Sequence, residues 1–200
     1  MIEKIVLASG NAGKLREFKR LLEPLGIDVV AQAELGIEPA DEPHVTFIEN
    51  AIAKARHASA LSNLAALADD SGVCVDALGG APGVRSARFA GEPVSDARNN
   101  RALVDALHGV ADRRAHYYCV LALVRRADDP EPIIAEGVWR GTIVDVPRGS
   151  GGFGYDPHFM DAESGLTGAE LPLARKNALS HRGHAMRRLI ARLASSEPER

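Results

Sequence analysis

Aromatic residues are scarce in this chain, with five Phe, three Tyr and one Trp in 200 residues. Without many large rings, the core must be built mainly from Ala, Leu and Val, which suits helices packed closely on a sheet. Cysteine is scarcer still. Cys74 and Cys119 are far apart and each lies among apolar residues, so the two read better as buried thiols than as a disulfide or a metal site. Long apolar runs are absent. Val120 to Val124 is too short to span a bilayer, and Glu3 and Lys4 interrupt the start, so no secretory signal is visible. A formal charge of -3 gives no general attraction for a nucleic-acid backbone. No histidine spacing supports a zinc site, and no internal repeat is present. The expectation is a soluble cytoplasmic protein with neither nucleic acid nor membrane as its partner.

What is present fits one domain spanning residues 1–200, with room for two lobes. Ile2 to Ala8 reads as a strand broken at Ser9-Gly10-Asn11. Leu15, Phe18, Leu22 and Leu25 then recur at steps of three and four, the mark of a helix with one buried face. Asn11 is placed to cap that helix and Gly26 to end it, before a second strand over Ile27 to Ala31. Thr46 and Glu49 form a capping box before an Ala-rich helix ending near Leu61. Short strands follow at Ala65 to Ala68, stopping at two aspartates, and at Val73 to Ala77. Gly79 to Gly91 reads as a shaped loop, and Ser95 opens a helix through about Leu107. His116 to Arg125 and Ile133 to Arg140 read as a hairpin turning at Asp128-Asp129-Pro130, with Ile143 to Val146 continuing the sheet. A final helix covers Arg182 to Leu193. Helices separated by hairpin-like strands favour a mixed α/β sheet.

Several segments carry chemistry. SGNAGK, Ser9 to Lys14, combines helix-start amides, a hydroxyl and a lysine, and reads either as a phosphate cradle or as an ordinary capped turn; it lacks the Walker A spacing. Asp69 and Asp70 are adjacent, so on a strand they face opposite ways; they read either as metal-phosphate chemistry, one facing a metal and the other holding a turn or a lysine, or as a solvated turn. An oxygen-rich site of this kind suits Mg²⁺. Glu38, Asp41, Glu42, Glu49 and Asp76 are the other acids available, and the sequence does not rank them. GSGGFGYDP lets backbone approach a planar ligand, with Phe153 or Tyr155 as an apolar wall, or is a reverse turn with an aromatic tucked into the core. Lys176, Asn177, Ser180, His181 and Arg182 cluster near the last helix, suiting a phosphate or a keto oxygen, or serving as caps.

Taken together, LASGNAGKLREF (Leu7 to Phe18), TFIENAIAKARHA (Thr46 to Ala58), ADDSGVCVDALGGAPGVRSARFAG (Ala68 to Gly91), GGFGYDPHF (Gly151 to Phe159) and AELPLARKNALSHRGHA (Ala169 to Ala185) closely resemble the inosine/xanthosine triphosphate pyrophosphatase family. The resemblance implies an elongated, two-lobed α/β fold with a central mixed sheet, helices around it, a deep active-site cleft, and a homodimer. It implies Mg²⁺-dependent conversion of non-canonical purine nucleoside triphosphates (ITP, dITP, XTP) to monophosphate and pyrophosphate. It assigns substrate contacts to Ser9, Gly10, Asn11, Ala12, Gly13, Lys14, Ser71, Phe153, Gly154, Tyr155, Asp156, Lys176, His181 and Arg182. Asp70 is the implied catalytic acid or proton acceptor and a metal ligand, with Glu38 the nearest candidate for a second ligand. Ser9 stands where many relatives have Thr, and the hydroxyl is retained.

Overall fold

The computed structural model describes residues 2–10 and 12–195. Asn11, expected as a helix cap and phosphate contact, lies outside the described residues. The regular elements are β1 (Lys4–Ala8), α1 (Ala12–Leu22), β2 (Asp28–Ala31), α2 (Phe47–Ser62), β3 (Ala65–Val75), α3 (Asp96–Ala106), β4 (Arg114–Val124), β5 (Ile133–Ile143), β6 (Phe159–Asp161), α4 (Leu173–Leu179) and α5 (His181–Ser195). One six-stranded sheet runs in the order β2-β1-β3-β4-β5-β6. β1 is parallel to β2 and β3, and β5 is antiparallel to β6, so the fold is α/β with a mixed sheet. Among the described residues no helix is long and apolar enough to cross a membrane.

The chain divides into two compact units. The first comprises Met1–Asp70, Val120–Glu136 and Ala185–Arg200. In it α1 packs on β2 and α2 on β1. Ile5, Val6 and Leu7 are wholly buried, as expected of a parallel strand covered on both faces. α1 buries Phe18 and Leu22, four residues apart. Leu25, expected on the same stripe, is 40% exposed, because the chain tightens into a 3-10 turn over Glu23–Leu25 and the step per residue changes. Gly26, at φ 69°, closes that turn. Thr46 caps α2 by accepting the Glu49 N–H, while its hydroxyl donates to the Glu49 carboxylate. The buried face of α2 carries Ala51, Ala55 and Ala58, whose small side chains let the helix lie close to β1.

Between β4 and β5, Asp129 is fully buried and organises the turn. Its carboxylate accepts from the backbone N–H, Nε and Nη2 of Arg125 and from the Glu131 N–H. The Arg125 hydrogen bonds hold this carboxyl well below the usual range. A depressed carboxyl contributes stability above its unfolded value near ~4, and that contribution is lost as pH falls through the folded value. Asp129→Asn is therefore expected to cost about 2 kcal/mol at neutral pH, and the gap should close as the pH drops below about 4. Denaturant titrations at pH 7 and pH 3 check this; an equal gap at both would show that the charge contributes nothing.

The second unit comprises Ser71–Cys119 and Gly137–His184. Its core gathers Val73, Val75, Leu103, Leu107, Tyr117, Trp139, Ile143, Tyr155 and Phe159, so four of the nine aromatic residues are spent here. Ser95 caps α3 by accepting the Arg98 N–H. Three expectations need correction. β3 does not stop at the aspartates but continues as one strand to Val75, since Asp69 and Asp70 are paired rather than solvated. Cys119 is buried, but Cys74 is only partly so, and both are free thiols. β5 ends at Ile143 instead of continuing to Val146, which is 72% exposed; its partner is the unexpected β6, three residues long and without a periodic pattern to announce it.

Candidate functional site

The order β2-β1-β3 makes β1 a switch point. The connection through α1 leads to β2 on one side, and that through α2 leads to β3 on the other. The crevice beyond the carboxyl end of such a strand is where open α/β sheets take ligands. A cavity of about 180 Å³ lies there, lined by Ser9, Gly10, Lys14, Glu42, Lys54 and Asp69 among others. Organic ligand sites usually measure about 300 to 1,000 Å³, so this volume suits a phosphate group rather than a whole nucleotide. Ala12 and Gly13 open α1 directly beyond it, with Lys14 in the first turn.

β3 is continuous, so its side chains alternate and the two aspartates diverge as expected. Asp69 receives Lys14 at 2.6 Å; Asp70 Oδ1 receives Lys54 at 2.8 Å. Lys54 also meets Glu42 at 2.8 Å and the Asp69 carbonyl at 3.0 Å. Asp70 is not part of the cavity wall; its link to the cavity is Lys54. Its second carboxylate oxygen, Oδ2, is buried and has no hydrogen-bond partner. Three carboxylates, Glu42, Asp69 and Asp70, thus meet the two ammonium groups of Lys14 and Lys54 where water is largely excluded. Burial pushes the Asp70 carboxyl up against the opposing pull of Lys54, with Glu42 and Asp69 adding to the rise. Burial also works against the Lys54 ammonium, but Asp70 and Glu42 outweigh it and the net shift is upward.

Among the described residues there is no cluster of three or more His, Cys, Asp or Glu placed to hold a metal by itself. A pair of carboxylates is nonetheless the donor set Mg²⁺ uses when waters and substrate phosphates fill the other positions. Glu38, the acid put forward from the sequence, is exposed and outside this group; its carbonyl lies 2.9 Å from His57 Nε2. Glu42, by contrast, meets the same lysine, Lys54, as Asp70 does. Sequence reasoning also missed Lys54. The available signal was its position on the stripe of Asn50, Ala51, Ala55 and Ala58, where α2 is otherwise buried.

In the second unit the turn 151–156 is folded around Asp156. This carboxylate is 3% exposed, accepts the Phe153 N–H at 2.7 Å and pairs with Lys176. A Cβ on Gly152, at φ +75°, would lie 2.1 Å from Asp156 Oδ2, so this glycine serves the turn's own packing rather than a ligand's approach. Gly154 is held from both sides: its N–H donates to Asp96 Oδ2 at 2.7 Å, and its carbonyl accepts from Asn100 Nδ2 at 2.8 Å. Tyr155, one of two expected walls, points into the core and donates to the Ser86 carbonyl. Phe153 is 56% exposed with Lys176 Nζ 5.2 Å from its ring centre. His181 and Arg182 open α5 and are each 7% exposed. Ser180 separates them from α4, and its hydroxyl accepts the Gly183 N–H. Ser71, the remaining expected contact, is partly buried on β3.

Residues 5–192 match the Ham1 family. The chain is 62% identical to the dITP/XTP pyrophosphatase of Nitrosomonas europaea, covering 98% of this chain and 97% of that one. It is 65% identical to the dITP/XTP pyrophosphatase of Burkholderia pseudomallei, over 95% of this chain and 93% of that protein. The solved structure of a HAM1 protein from Coxiella burnetii superposes with a TM-score of 0.94 at 45% identity, covering 98% of this chain and 100% of that one.

Proposed function

This chain belongs to the Ham1 family, and from that membership we propose that it hydrolyses ITP, dITP and XTP between the α and β phosphates, releasing the nucleoside monophosphate and pyrophosphate and so clearing damaged purines from the nucleotide pool. The observation that carries the reading is the Glu42, Lys54, Asp70 group, which reaches a phosphate-sized cavity through Glu42 and Lys54 and leaves one buried Asp70 carboxylate oxygen unpartnered. Ser9, Gly10 and Lys14 receive the phosphates there, the lysine supplying positive charge. Asp70 and Glu42 would hold Mg²⁺, which when bound draws charge from the phosphates and lowers the pKa of bound water. Asp70 Oδ2 offers a lone pair to orient the attacking water and accept its proton as the oxygen adds to the α phosphorus and the bond to the β phosphate breaks. Pyrophosphate carries away the displaced oxygen.

Asp156, Lys176, His181 and Arg182 are proposed for nucleotide and base contacts. A guanidinium can donate to the 6-keto oxygen of hypoxanthine or xanthine and leaves the amino group of adenine mispaired. A homodimer is part of the same reading, supported by the sequence resemblance alone.

The test is direct. With Mg²⁺ and ITP or dITP, the protein is expected to yield equimolar monophosphate and pyrophosphate. Diphosphate and orthophosphate instead would overturn the reading.

A further inference from the structure

Tyr117 lies in β4 and is 8% exposed. Its ring and the His181 imidazole are stacked, with centroids 4.7 Å apart and planes within 8°. Trp139 lies nearly parallel to the same ring, 5.9 Å away at 17°, and Phe159 meets it tilted at 4.7 Å and 60°. The tyrosine ring is therefore itself fixed by two aromatic neighbours. Tyr155 belongs to the same core cluster, and Asp156 is close enough for its charge to bear on the phenol. One side chain thus borders both sequence motifs of the second unit: the turn 153–156 through the core it shares with Tyr155, and the start of α5 through its stacked face.

We propose that Tyr117 is a positioning residue for nucleotide binding, holding the His181 imidazole in one plane and tying it to the turn that carries Asp156. The proposal rests on the reading of His181 as a substrate contact. The outer torsion of an imidazole has a broad intrinsic profile, and so a freedom of its own. A flat ring 4.7 Å away removes that freedom, so the two nitrogens point only along the shared plane. Such stacking contributes beyond its buried area. Because it orders the site before substrate arrives, its loss should weaken binding rather than the chemical step.

The experiment compares Tyr117→Leu, Tyr117→Phe, His181→Ala and the double variant Tyr117→Leu/His181→Ala in ITP hydrolysis with Mg²⁺. Tyr117→Leu is expected to raise KM on the order of 5-fold with kcat within about 2-fold, and Tyr117→Phe, which keeps the ring, to stay within about 2-fold of the parent in both. In the His181→Ala background the Tyr117→Leu effect should vanish, since both remove one interaction. Additive effects in the double variant, or a fall in kcat alone, would overturn the role given to Tyr117. A His181→Ala variant with unchanged KM would instead reject His181 as a substrate contact, and the proposal with it. Proton NMR of the parent protein supplies a readout that does not depend on any Tyr117 variant folding: the His181 ring protons, identified by their absence from the His181→Ala spectrum, should be displaced upfield by the Tyr117 ring current. Resonances at their unstacked positions would overturn the proposal.

Discussion

Asn at position 70 is expected to lower kcat for ITP hydrolysis by about 100-fold or more, the range seen when a proton acceptor or preorganised charge is removed from a site. The substitution changes almost no volume. The amide oxygen can keep the 2.8 Å contact with Lys54, and Glu42 still accompanies that lysine, so stability should change little. What disappears is the lone pair at the position of Oδ2, the buried oxygen without a partner. An NH₂ group there can neither hold a cation nor take a proton. Steady-state rates across a range of Mg²⁺ concentrations, alongside circular dichroism and thermal unfolding, check this. Near-normal turnover in a folded Asp70→Asn protein would remove Asp70 from the reaction.

Lys54→Met acts first on stability. The lysine and Asp70 side chains are 12% and 10% exposed, so removing the ammonium leaves a buried carboxylate uncompensated. Breaking a pair of this kind costs about 3 to 5 kcal/mol, which for a chain of this size lowers Tm by on the order of 10 °C. Methionine keeps most of the length and the apolar stem, so the effect measures charge rather than packing. The double variant Lys54→Met/Asp70→Asn should regain most of the loss, because the unpaired charge has gone too. Thermal unfolding without divalent metal decides it. A double variant no more stable than Lys54→Met alone would show that the lysine stem, and not its charge, supports β3.

The parts of the fold legible in the sequence are those with a periodic or capped signal. α2 begins where Thr46 and Glu49 placed it, and α3 begins at Ser95 as expected, since these caps act within one turn. β3 was misread because aspartates and glycine rarely continue a strand. Here Lys14 and Lys54, 55 and 16 residues distant, neutralise the carboxylates and let the strand run on. β6 and the separate α4 are too short for any period to declare them. The choice between Glu38 and Glu42 was likewise closed to local reasoning. Both precede α2, and only the meeting of Glu42 with Lys54 distinguishes them.

The sequence by itself determined the reaction class to expect, the order of the motifs that carry it, the helices with local caps, and the opposite orientation of Asp69 and Asp70, because alternation on a strand is a property of the backbone. The tertiary structure alone decided how charge is distributed among those groups: that Lys14 lies on Asp69, that Lys54 joins Glu42 to Asp70, and that Asp70 keeps one oxygen unpartnered. It also decided that Tyr155 belongs to the core and that Tyr117 lies against His181. These are contacts between residues 12 to 69 positions apart in the chain, set by sheet order and register. Electrostatic energies depend on distance and burial, and neither quantity is written along the chain.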